Sequence, residues 1–374
     1  MYLAYSKNTY LFDNQSIIKM FSKIEERKKG IRHWRAFSII LVSLLFFWVA
    51  CEDVSEKKSK RIEQKRTGTS TAIGKVQKKD IIEWKDEIYG QDNAGKFNYS
   101  FNQFNDIILK INPLHTKMGK PKSGDWLAQH QERGQTFQQY LSDKPIKLDN
   151  QRRKIYLLPL GSFDKSDKRL LTAVAEYLAL FFEIEVVLQA PQSLRNFPPE
   201  AFRTRNLDYP GNPQYLTKHI LHKVLLPNLP TNALAYMAIT NEDLYPQASW
   251  NFVFGQASTQ KRVGVSSYFR YLQEEKPVFN QILRRIIATS SHEIGHILTM
   301  YHCKAYECVM NGSNSLHESD SRPIYPCSEC IAKLSWNLGF SIPQHYENLV
   351  PFFEKHQLND EANYCQKLIA LGFP

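Results

Sequence analysis

Cysteine is scarce in this chain, 6 among 374 residues, so at this length a disulfide-stapled mini-scaffold is excluded. Glycine is scarce as well, at 16 residues, which excludes a collagen-like chain. No uncharged apolar run reaches the roughly 20 residues of a bilayer-spanning helix, and that excludes a multi-span membrane protein. No internal repeat is visible, and no low-complexity tract appears beyond residue 80. What is present is ordinary globular composition, 43% hydrophobic and 23% charged, enough for one large domain or two modest ones.

Basic residues exceed acidic ones, 48 against 37, for a net charge of +11. A strongly basic body would suggest nucleic acid or an anionic surface. The excess is not in the body, however, since residues 81–374 carry only +2 and contain no basic stretch interleaved with aromatics. Nucleic acid is therefore not an expected partner.

The front of the chain resembles an export signal. Lys23, Arg27, Lys28, Lys29, Arg32 and Arg35 precede the run AFSIILVSLLFFWVA (36–50), which ends at Cys51. Ala50 before Cys51 resembles the lipobox of bacterial lipoproteins, although Trp48 stands where Leu is usual. The expectation is a signal region over 1–50, with Met20 an alternative start, lipidation at Cys51 and an exported, membrane-anchored protein. An uncleaved anchor or a merely buried cysteine is the competing reading. Residues 51–80, polar and charged without periodicity, are expected to form a flexible tether.

The body is expected to span 81–374. KIYLLPL (154–160) reads as a buried strand, a helix with apolar spacing follows under a cap from Asp164 or Ser166, and EIEVVLQA (183–190) reads as a second strand. NPQYLTKHILHKVL, opened by Asn212 and Pro213, reads as a helix. ALAYMAIT, WNFVFG and RVGVSSYF read as strands, Pro277 to Met300 as a long helix, and residues 331–374 as mainly helical. Residues 81–153 allow no fold assignment beyond an amphipathic piece at 101–111.

The long helix runs into SHEIGHILTMYHC. His292 and His296 lie one turn apart on one face, so they can present two imidazoles to one metal, with Glu293 beside that metal. His302 can join only if the helix ends near Thr299 and the chain turns back. Three imidazoles leave a fourth position for water, as in catalytic zinc. Cys303 and Cys308, with Cys327 and Cys330, form two pairs suited to a four-thiolate zinc. Two disulfides are the competing reading in an oxidising compartment. Cys365 is left over as a buried thiol.

The segments HEIGHILTMYHC, Cys308-Val-Met310 and Cys327-x-x-Cys330 resemble the archaemetzincins, zinc metallopeptidases of the metzincin clan. The similarity extends over about residues 120–345. It implies an α+β, metzincin-like fold: a twisted mixed sheet with flanking helices, an HExxH helix and a mainly helical C-terminal part. It also implies two zinc ions, a catalytic one on His292, His296 and His302 and a structural one on Cys303, Cys308, Cys327 and Cys330. Glu293 would be the general base for zinc-activated water, Met310 the Met-turn, and WNFVFG the edge strand that pairs with a peptide substrate, with an ordinary sheet strand as its competing reading. One departure is Thr299, where the clan usually has Gly; a β-branched residue at positive φ costs on the order of 1 to 3 kcal/mol. The alternative function is a non-catalytic, zinc-stabilised surface module for peptides or glycans. Such a module has no need of a base at Glu293.

Overall fold

The computed structural model describes residues 2–6, 84–92 and 94–373. The apolar run 36–50, Met20, Cys51 and the tether 51–80 lie outside the described residues. Strand β1 (Tyr2–Ser6) is followed among them by β2 (Glu87–Tyr89) and helix α1 (Phe101–Ile111). Ser100 and Gln103 cap α1 reciprocally, and Phe104, Ile107, Ile108 and Ile111 form its buried stripe.

Strand β3 (Lys154–Leu160) is an almost unbroken apolar run because helices or loops cover both of its faces. Helix α2 (Lys165–Phe182) follows. Asp164 accepts from the Asp167 backbone N–H at 2.8 Å and Asp167 returns the bond, which fixes where the helix starts. Strand β4 (Glu185–Leu188) then pairs parallel with β3, completing a strand, helix, strand crossover.

Here one expectation is corrected. Gln214–Leu216 forms strand β6, which follows the short β5 (Phe202–Arg203), and helix begins only at Thr217. The buried Gln214 amide donates to Asp243 at 2.8 Å and to the Asn251 carbonyl at 2.9 Å, tying this stretch to the sheet. Strands β7 (Ala233–Thr240), β8 (Asp243–Tyr245), β9 (Trp250–Ser258) and β10 (Val263–Ser267) complete the sheet. Its order is β2-β4-β3-β7-β10-β9-β8-β6-β5. The stretch from β4 to β10 is parallel, whereas β9 runs antiparallel to β10, so the sheet is mixed.

Residues 255 and 256 of β9 pair with β10 and also with β1, so these two strands lie on its opposite edges. Residues 2–6 lie antiparallel along WNFVFG, so with β1 in place this segment has the neighbours of an ordinary sheet strand. Helix α3 (Phe279–Ile297) packs on β9 and β10, and α4 (Ser328–Leu338), α5 (Ile342–Lys355) and α6 (Asn359–Ile369) follow. The main core lies between the sheet and these helices.

Candidate metal centre

Helix α3 stops at Ile297, and Thr299 then takes the left-handed conformation with φ 69°. Its N–H donates to the His296 carbonyl at 2.9 Å, and Met300 N–H donates to the Gly295 carbonyl at 3.0 Å. The turn therefore keeps the geometry that favours glycine, with threonine in it. Thr299 Oγ1 accepts from Ile146 N–H at 3.1 Å, and its carbonyl accepts from Gln135 at 3.2 Å, which offsets the strain.

That reversal brings His302 back to the helix. The ring centroids of His292, His296 and His302 lie 4.5, 4.9 and 5.2 Å apart, and one nitrogen from each lies within 4.8 Å of the others. Each Nδ1 has a partner that can only accept: the Val309 carbonyl for His292 (2.7 Å), the Met300 carbonyl for His296 (2.7 Å), and the Glu132 carboxylate for His302 (2.9 Å). Donation from Nδ1 leaves a lone pair on every Nε2. All three Nε2 atoms are buried and have no hydrogen-bond partner. Burial holds His292 down to about 3 and His296 well below its ordinary value, so both imidazoles stay neutral. Buried, neutral, convergent and unpartnered nitrogens fit a zinc ion.

Glu293 is fully buried, and neither of its carboxylate oxygens has a partner. Burial pushes its carboxyl up to about 8. It lies against Gly255 of β9, where a Cβ would come within 2.6 Å of Oε1. Gly295, between the two helical histidines, lies against Met310, whose sulfur would meet an added Cβ at 2.6 Å.

Glu132 was not found from sequence. It sits 170 residues before His302, in a stretch without periodicity, and no local signal marks it. Burial works against its charge, but the hydrogen bond from His302 and its charge, together with Trp126 and His130, outweigh burial and hold the carboxyl below its ordinary value. Trp126 stands edge-on to His302 at 5.2 Å, and His130 packs on Trp126 at 3.9 Å.

The four cysteines also converge. All described cysteines are free thiols. Cys303 and Cys327 sulfurs lie 3.7 Å apart, and those of Cys308 and Cys330 lie 4.0 Å apart. A tetrahedral zinc with bonds of about 2.3 Å sets its sulfurs roughly 3.8 Å apart. Hydrogen bonds from Cys308, Cys327 and Cys330 pull the Cys303 thiol well below its ordinary value, while burial pushes Cys308 well up. Cys303 directly follows His302, and its N–H donates to the Met310 carbonyl at 2.7 Å, so the two clusters share one backbone. Cys365 lies apart from this cluster, and burial pushes its thiol up to about 12.

Residues 230–336 match the family model of peptidase family M54. Archaemetzincin-2 of Mus musculus is 34% identical over 275 residues, covering 64% of this chain and 74% of that protein. Archaemetzincin of Pyrococcus furiosus is 30% identical over 191 residues, covering 50% of this chain and 95% of that protein. The crystal structure of archaemetzincin from Archaeoglobus fulgidus is 28% identical and covers 48% of this chain and 99% of that one, with a TM-score of 0.40. With an M54 match over the segment that carries both clusters, and relatives at 30% identity or more aligned over most of their own length, the chain belongs to the archaemetzincin family and is a zinc metallopeptidase.

Proposed function

We propose that His292, His296 and His302 hold the catalytic zinc and that Glu293 is the general base of peptide hydrolysis. The observation that carries this is Glu293 itself: a fully buried carboxylate with neither oxygen bonded, next to three unpartnered imidazole nitrogens. A group kept so costs stability, and a role in the reaction accounts for its being kept. Zinc, when bound, supplies the Lewis acidity that lowers the pKa of water to about 7 and polarises a carbonyl. Glu293 takes the proton of the attacking water and delivers it to the departing amine. Val309, Met300 and Glu132 orient the three rings, and Met310 packs beneath them as the Met-turn.

A second zinc on Cys303, Cys308, Cys327 and Cys330 fixes the turn after His302, giving two ions per chain. Substrate pairs in extended form with β9, on the edge where β1 lies. Lipidation at Cys51 anchors the exported protein, and cleavage before Cys51 removes β1 and opens that edge. The basic, charged segment 51–80 then serves as the tether.

The test is cleavage of a mixed-peptide library by the chain from Cys51 onward, which lacks β1, with Glu293→Ala as control. Wild type should produce fragments that the variant does not, and identical profiles would reject the assignment. Two zinc ions per chain are expected by elemental analysis, with one remaining in a Cys327→Ser variant. Lipid labelling in a bacterial host should vanish in Cys51→Ser, and its persistence would refute the anchor.

A further inference from the structure

A cavity of about 370 Å³ lies between β9 and the segment after Met310. Phe252 and Phe254 wall it, and Asp208, Asn251, Arg270 and Asn314 supply its polar groups. It adjoins the metal centre, because Gly255, the next residue along β9 after Phe254, lies against Glu293.

The polar inventory has a direction. Arg270 is already satisfied: Nε and Nη2 donate to Asp243 at 2.9 and 2.8 Å, and Nη1 donates to Asp208 at 2.7 Å. Two carboxylates therefore face one guanidinium, and Asp208, 37% exposed, is the one that reaches the opening. Asn251 donates its Nδ2 to Asp208 at 2.9 Å, and Asn314 donates its Nδ2 to the Gly124 carbonyl at 3.0 Å. Those partners only accept, so the amide orientations are settled. Each amide then has a buried Oδ1 without a partner. Buried acceptors left unpaired are costly and call for a donor from a ligand.

We infer that this cavity is the subsite for a side chain beside the scissile bond, and that it selects lysine or arginine. The aromatic walls take the aliphatic stem, and Asp208 with the two amide oxygens takes the cationic head. This rests on the hydrolytic site proposed above.

The experiment uses zinc-loaded Glu293→Ala protein that begins at Cys51 and so lacks β1, with fluorescent peptides that differ only by Lys, Arg, Leu or Glu at each position in turn. At one position Lys and Arg should bind at least tenfold more tightly than Leu and Glu. Adding Asp208→Asn should shrink that gap below threefold, and Asp208→Glu should restore it. Equal binding at every position, or a basic preference untouched by Asp208→Asn, would overturn the inference. Cleavage of the same peptides by wild type separates the two readings. A basic preference in binding without hydrolysis sinks the peptidase site alone, and hydrolysis without a basic preference sinks the subsite alone.

Discussion

The carboxylate of Glu132 does for His302 what two backbone carbonyls do for His292 and His296. The difference is charge. A carboxylate partner raises the basicity of the ring it holds, and losing such a partner typically costs 10- to 100-fold in metal affinity. Glu132→Ala should therefore weaken zinc binding at the histidine cluster by about that factor, read by competition with a metal chelator. An affinity within twofold of wild type would mean that His302 is oriented by packing against Trp126 alone. The three histidines and Glu293 were legible at this scale, because HExxH places His292, Glu293 and His296 within five consecutive residues and His302 follows six residues later. Glu132 was not, because nothing near it in the chain differs from an ordinary exposed glutamate. Thr299 shows a different limit. Sequence marked the strained position, but the bonds from Ile146 and Gln135 that hold it come from a region where sequence showed no fold.

Among the elements, α3 and β9 form the site together. The helix spaces His292 and His296 by one turn, and β9 lies so close that only a glycine fits at position 255. In Gly255→Ala the new methyl group would stand 2.6 Å from Glu293 Oε1 and displace the carboxylate. Peptidase activity should fall by about 100-fold, in the range of a lost general base, while zinc content stays unchanged. Retained activity in that variant would show that Glu293 has room to relax. Strands β3 and β7 were readable because both faces are covered, which makes their sequences almost continuously apolar. Strand β6 was not, since its three residues are held by side-chain bonds from Gln214 to partners about 30 to 40 residues away, and Asn212-Pro213 gave a stronger local signal for a helix.

For the molecule as a whole, acid stability is set partly by burial of a group outside the two metal-binding clusters. His115 packs among Tyr306, Tyr325 and Tyr364, and its Nε2 lies 3.2 Å from the Tyr364 hydroxyl. Burial lowers it from 6.5 to about 4. The unfolded chain thus binds this proton more readily, so the contribution is fully present above about pH 6.5 and is lost as pH falls towards 4. The loss is on the order of 3 kcal/mol. Urea unfolding at pH 7 and pH 4.5 should show a smaller acid penalty for His115→Phe than for wild type; equal penalties would place the titrating group elsewhere. Sequence by itself determined the ligand types, their helical spacing and the strands buried on both faces, because those follow from local periodicity and from the chemistry of each side chain. Only the tertiary structure decided that Glu132 meets His302, that Gly255 lies against Glu293, that residues 2–6 lie along β9, and that Asp208, Asn251 and Asn314 line one cavity with Phe252 and Phe254. Those contacts join residues as many as 254 positions apart, and they exist only once the core has closed around them.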